Sequence, residues 1–284
     1  MWLLAVLAAG GCGTARHVSA PVAAKPRAAS AQPGFHVGVV GPLTLDVEGV
    51  VAHRGSLDQV AGEPLVLVDA GAAGPGAVAE AALAHPDSQF AIIGAGARDQ
   101  HVPNLAGVVL RDSDAAYLAG VTAGLAATDA GAAARVAWVG PEERPLAADF
   151  TRGVHAVAPG VAILREWTRA IPARCKEAAL TAFDRGAAVV MAHGGLCAEA
   201  AADAAHDQNL PALELDDFLL PSVAAAGVAR DAARGVFHGG QDVIYGASAG
   251  AVGVRTLDPR ISVATTARVR DMAQQLAGAR SQGG

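Results

Sequence analysis

The sequence predicts an α/β protein of two doubly wound lobes, each a parallel sheet flanked by helices, with a cleft between them. Three observations lead there. From Phe35 onward, short Val/Ile/Leu runs alternate with Ala-rich stretches of helical length. The runs are apolar at consecutive positions rather than at every second one, as expected of strands covered on both faces. The alternation then restarts after one long helix, giving two successive βαβ arrays.

In the first array, His36–Val40, Leu65–Asp69, Phe90–Gly94 and Gly107–Leu110 read as buried strands. Gly76–Ala84 has helical spacing and stops at His85-Pro86. Asp112–Ala127 is a helix that Asp112 or Ser113 would cap, with Tyr117, Leu118, Val121 and Leu125 on one face. In the second array, the strands are Val136–Gly140, Val161–Glu166, Ala188–Ala192 and Ala212–Asp216. The helices between them are Leu146–Ala158, Arg174–Asp184 and Ala198–Asp207. A helix from Ser222 to Gly235, a strand near Val243–Tyr245 and a helix from about Ile261 to Ala277 complete the chain. The expected lobes are 35–130 with about 220–240, and 131–219 with about 241–278.

Ahead of the lobes, residues 1–11 (MWLLAVLAAGG) are apolar and meet Cys12. A bilayer span needs about 20 apolar residues, so this stretch reads as a signal-peptide core. Ala9, Gly10 and Gly11 before Cys12 form a lipobox-like site, although Ala9 stands where leucine is usual. Cleavage there would leave Cys12 to carry lipid, and an Ala/Pro/Ser-rich tether would run through residues 12–33. A plain secretory signal is the alternative. The expected location is the cell membrane, on its extracytoplasmic face.

The 284 residues include 52% hydrophobic and 17% charged, with a net charge of −6, which argues against a nucleic-acid partner. Three cysteines are too few for a disulfide-built scaffold. Cys175 and Cys197 fall near the starts of consecutive helices at the same end of one lobe, so they are candidates for a disulfide or two free thiols. Gly94-Ala-Gly96 has Asp99 where a dinucleotide fingerprint needs glycine, and no Gly-x-x-x-x-Gly-Lys occurs, so no cofactor is expected. His193, Cys197 and His206 form no metal-ligand array, so no metal site is expected either. Gly246-Ala-Ser248-Ala-Gly250 matches a nucleophile-elbow pattern, but every histidine precedes Ser248, the wrong order for that hydrolase fold. The chain is therefore not expected to be an enzyme.

Two lobes of this kind place a ligand site at the carboxyl ends of their strands. Topology alone nominates the segments Gly41–Leu43, Asp69–Gly71, Gly94–Gly96, Arg111–Ser113, Gly140–Glu142, Trp167–Arg169, His193–Gly195 and Asp216–Phe218.

A series of landmarks then carries a resemblance. His85-Pro86-Asp87 precedes Gln89–Ile93, and Pro103-Asn104-Leu105 precedes Val108–Leu110. Tyr117-Leu118-Ala119-Gly120-Val121 opens the long helix, followed by Val136–Gly140 and Phe150-Thr151-Arg152-Gly153-Val154. Lys176–Leu180, Asp184–Val190, Leu215-Asp216, Phe237–Gly240 and Gly250–Val254 follow in order. This pattern resembles the basic membrane protein (BMP) family, substrate-binding lipoproteins of ABC importers with the type I periplasmic-binding fold. The resemblance implies a small polar ligand, such as a purine nucleoside, held between the lobes, and ABC permease subunits as partners. It also implies that Asp216 binds ribose or another hydroxyl group, although a strand-end turn would also use an aspartate there. By the same resemblance, Gly194 and Gly195 form a glycine-rich turn close to the ligand, and Asp112 is an acidic cleft residue.

Two departures stand beside these matches. The family's Asn-Asp-x-Ser-Phe-Asn-like loop after the first strand is replaced by Gly41–Asp46. Arg169 stands where a stacking ring is expected, and an arginine there stacks on a base or holds a carboxylate or phosphate. Trp167, two residues away, is a substitute ring or core. The scaffold is thus expected with an altered pocket, the alternative being a surface sensor or scaffold without a small ligand.

Overall fold

The computed structural model describes residues 34–131 and 134–282. The expected signal peptide, lipid-bearing Cys12 and tether lie outside the described residues. In chain order the elements are β1 (Phe35–Val40), β2 (Val50–Arg54), α1 (Leu57–Val60), β3 (Leu65–Asp69), α2 (Pro75–Ala84), β4 (Gln89–Ile93) and β5 (Leu105–Leu110). There follow α3 (Asp112–Ala130), β6 (Arg135–Gly140), α4 (Arg144–Val157), β7 (Ala162–Trp167), α5 (Pro172–Asp184), β8 (Ala187–Ala192), α6 (Leu196–Asp207) and β9 (Ala212–Glu214). Last come α7 (Pro221–Ala232), β10 (Asp242–Tyr245) and α8 (Val263–Gln282).

The strands make two all-parallel sheets. One has the order β10-β5-β4-β3-β1-β2 and the other β7-β6-β8-β9. β3, β4, β5, β6 and β8 are mostly buried apolar runs with helices on both faces, whereas β7, at a sheet edge, buries only Leu164. β2 and α1 have no counterpart in the sequence reading. β2 is an edge strand whose residues are mostly exposed, so its sequence, Val50-Val-Ala-His-Arg54, shows no continuous apolar run.

Four expectations are corrected. β10, expected in the second lobe, pairs with β5 at the edge of the first sheet. α3, expected in the first lobe, packs with Val136, Trp138, Val189 and Met191 of the second. An almost wholly apolar helix can be buried against either sheet, so its pattern does not choose. The strand expected to reach Asp216 ends at Glu214, and Asp216 sits in a 3-10 turn, Leu215–Phe218. Asp112 is the first residue of α3, with Arg111 in the cap position.

Three segments therefore join the lobes: Leu110–Asp112, Leu215–Pro221 and Gly246–Arg255. The last two run side by side as an antiparallel ribbon. The Leu220 N–H donates to the Ala251 carbonyl at 2.9 Å, Gly253 N–H to Phe218 at 2.9 Å, and Arg255 N–H to Asp217 at 2.8 Å.

Asp114 locks this junction. Its side chain is 1% exposed and accepts from Arg280 of α8 at 2.8 Å and from the Ala247 N–H at 3.1 Å. Removing a buried carboxylate strands those two donors, so Asp114→Ala is expected to cost about 3 kcal/mol. Urea unfolding measures this. A loss under about 0.5 kcal/mol, the range of an ordinary surface change, would mean the junction does not depend on Asp114.

α3 and α4 cross at two glycines. A Cβ built on Gly120 would lie 2.0 Å from the Phe150 carbonyl oxygen, and one on Gly153 would lie 2.0 Å from that of Tyr117. The two backbones are therefore in direct contact, with Phe150 and Val154 of α4 fully buried beside them.

Candidate ligand-binding cleft

At the carboxyl ends of β3, β4 and β5, against the segments that connect the lobes, lies a cavity of about 450 Å³. That volume is within the range of small-molecule sites. Its polar lining consists of Asp69 from the end of β3, Asp112 from the first turn of α3, Asp216 from the 3-10 turn, and Arg255 from the third connecting segment. Pro42, Ile93, Val109, Leu110, Leu219 and Pro221 supply apolar wall. A smaller space of about 330 Å³ continues past Pro42 and Pro221 and shares Asp69 and Arg255. There the Thr44 N–H donates to the Ser222 hydroxyl at 2.9 Å, fixing the loop after β1 against the start of α7.

Each carboxylate is positioned differently. Asp69 Oδ1 accepts the Gly71 N–H at 2.9 Å, and the Asp69 carbonyl accepts the N–H groups of Ala72 and Ala73, so its turn is self-braced. Asp112 is anchored by the start of α3. Burial pushes its carboxyl above the usual value of 3.8; attraction to His193 opposes this, and the charges of Asp216 and Glu143 add to it. Beside the cavity, burial also raises Glu214 and Asp217. Asp216 adds to both shifts, while Arg255 opposes them. The cavity itself is lined by three carboxylates and one guanidinium.

A carboxyl whose folded-state value is raised contributes stability that is complete below its unfolded value and is lost as pH rises through the folded value. Asp112→Asn is accordingly expected to raise the melting temperature of the ligand-free protein at pH 7, with the gain vanishing as pH falls toward 3.8. Thermal melts of both proteins from pH 3.5 to 8 check this. A gain that is the same at every pH would show that the charge is not its cause.

The structure gathers only some of the residues singled out in the sequence. Asp112 and Asp216 line the cavity, as do Pro42, Asp69, Ala70, Gly71 and Gly94 from the segments nominated by topology. Gly194 and Gly195 form the turn from β8 into α6, with φ of +101° and +56°, a backbone that favours glycine, but they are not among the lining residues. Their neighbour His193 holds Glu143 at 3.1 Å, and its ring lies 5.5 Å from that of Trp138, tilted by 43°. Trp167 is half-buried against the core of the second lobe, and Arg169 is exposed; neither lines the cavity. Arg255 escaped the sequence reading, because it follows no strand and belongs to no periodic pattern.

At the cleft-side end of the second lobe, Cys175 of α5 and Cys197 of α6 form a disulfide, with their Cα atoms 5.3 Å apart. Ser248 is exposed on a 3-10 turn, Ala247–Ala249, directly after β10. A nucleophile elbow instead sets its serine between a strand and a helix.

Two parallel-sheet lobes joined by three connecting segments, with a polar cavity against those segments, are the type I periplasmic-binding fold. Residues 62–217 match the Bmp family, described as ABC transporter substrate-binding protein PnrA-like, and the chain belongs to that family. Among solved structures it is similar to an ABC transporter solute-binding protein from Conexibacter woesei DSM 14684, with 15% identity and a TM-score of 0.60, over 87% of this chain and 97% of that one. It is also similar to ABC transporter solute-binding proteins from Aeropyrum pernix K1, with 17% identity and a TM-score of 0.52, over 87% and 92%. A transcriptional activator of the comK gene from Bacillus halodurans matches with 15% identity and a TM-score of 0.53, over 86% and 98%. At these identities the structural likenesses establish the fold alone. Among the described residues, no helix is long and apolar enough to cross a membrane.

Proposed function

We propose that the chain is the lipid-anchored, extracytoplasmic binding component of an ABC importer, closing its lobes on a nucleoside-like ligand. In this reading Cys12 carries the lipid, residues 12–33 form the tether, and the closed form is presented to the permease. The observation that carries the ligand class is the set Asp69, Asp112 and Asp216 around one cavity. Carboxylates accept hydrogen bonds from vicinal hydroxyls, as a ribose offers, and their combined charge disfavours a phosphate or carboxylate ligand. The apolar wall of Pro42, Ile93 and Leu219 would face the base in place of stacking rings. Arg255 would accept from no one and donate to a base carbonyl. An open, acid-lined cavity supports this reading over a scaffold without a small ligand. Closure would turn on the paired ribbon of the second and third connections.

A thermal-shift screen of the purified protein against purine and pyrimidine nucleosides, nucleobases, pentoses and amino acids tests it. A ligand at about 100 times its Kd adds roughly 2.7 kcal/mol, which for a chain of this size raises Tm by about 5–10 °C. A nucleoside shift that Asp216→Ala removes is the expected result. A shift with amino acids alone would replace the cargo, and no shift with any class would return the weight to the scaffold reading.

A further inference from the structure

The first lobe carries a second group of convergent side chains, at the end of the sheet away from the cleft. His36 lies near the start of β1, His53 on the edge strand β2, and Glu63 in the turn after α1. In the parallel register His36 is opposite Val51 and His53 is opposite Gly38. His36 and Gly38 share a face of β1, so the two imidazoles project from the same face of the sheet, two residues apart. α1 covers that face. A Cβ on Gly38 would meet the Val60 side chain at 2.7 Å, and the Glu63 N–H donates to the Val60 carbonyl at 3.0 Å, which keeps Glu63 close to the two histidines.

The result is a compact donor set. One nitrogen of each histidine and one Glu63 oxygen all lie within 4.8 Å of one another. His53 Nδ1 and Glu63 Oε1 are 2.6 Å apart, and the His36 and His53 rings meet edge-on at 5.0 Å. Both histidines are exposed and Glu63 is partly so, leaving water free to complete a coordination sphere.

We infer that His36, His53 and Glu63 bind a divalent transition-metal ion of the zinc class. Two imidazoles and a carboxylate are the donors such ions prefer, and three protein ligands with water in the fourth place is a common arrangement. Metal bonds of about 2.0–2.2 Å set tetrahedral donors roughly 3.3 Å apart. The His53–Glu63 pair is tighter than that and no pair is wider than 4.8 Å, so modest side-chain rotation reaches it. A bound ion would tie the unbuttressed edge strand β2 to β1 and to the turn before β3. The sequence reading expected no metal after weighing only His193, Cys197 and His206; these three ligands are separated by 17 and 10 positions and make no local motif.

Zinc titration of the full chain by calorimetry, with cobalt absorption as a second readout, tests the assignment. The expected result is one ion per chain, a zinc-dependent rise in Tm and visible cobalt bands. Outer-shell partners alone change metal affinity by about 10–100-fold, so His36→Asn or His53→Asn should each cost at least that much and abolish the cobalt bands. Glu63→Gln should weaken binding by about tenfold or more. The two histidines are exposed and Glu63 partly so, and melts in chelator should match wild type, which separates ligand loss from misfolding. Absence of zinc binding by the wild type, or unchanged affinity and stoichiometry in both histidine variants, would overturn the proposal. So would variants that bind zinc less only because they melt lower in chelator.

Discussion

Gly120→Ala is expected to destabilise the protein by about 3 kcal/mol or more, and to leave it unfolded if its margin is small. The new methyl would sit 2.0 Å from the Phe150 carbonyl oxygen, a backbone atom that cannot rotate away. α3 and α4 must separate, which breaks the packing of Phe150 and Val154 on the core of the second lobe. The usual gain from replacing a helical glycine with alanine, about 1 kcal/mol, is far too small to offset this. Gly153→Ala should behave alike, because its methyl would meet the Tyr117 carbonyl oxygen at 2.0 Å. Gly278→Ala in α8 is the control: its methyl would meet nothing within 4 Å, so it should be neutral or slightly stabilising. Urea unfolding of the three variants decides the matter. Similar stabilities for Gly120→Ala and Gly278→Ala would mean that the helix crossing has room to relax.

Removing the Cys175–Cys197 bond is expected to cost about 3 kcal/mol, since the closed loop spans 22 residues. At this chain length that corresponds to a fall in Tm of roughly 6–12 °C. The bond joins the first turns of α5 and α6, so its loss also loosens the ends of β7 and β8 that face the cleft. Cys175→Ser with Cys197→Ser, compared with wild type melted with and without reductant, tests this. Wild type in reductant should match the double variant. If reductant leaves the wild-type Tm unchanged, the bond does not contribute to stability.

The site was legible to the extent that it obeys a topological rule. Asp69, Asp112 and Asp216 follow strands, and a parallel sheet sends everything after its strands to one end. Arg255 was not legible, because it reaches the cavity on a segment without periodicity whose place is set by hydrogen bonds to Phe218 and Asp217. Trp167 has the composition of a ligand contact, but its ring lies against the second lobe's core. Whether an aromatic residue at a strand end turns inward or toward the cleft depends on packing from other elements.

The sequence by itself determined the α/β class, the two arrays and nearly every strand, because burial on both faces writes consecutive apolar residues into the chain. It also determined the family, through the spacing of short landmarks such as Tyr117–Val121 and Phe150–Val154. Tertiary structure alone decided which lobe received α3 and β10. An apolar helix is equally soluble in either core, and an edge strand follows whichever neighbour offers a free ladder. It likewise decided that His36, His53 and Glu63 would meet. Their encounter rests on the turn after α1 and on the register of β1 with β2, the latter a pairing across 15 positions that no local pattern of residues encodes.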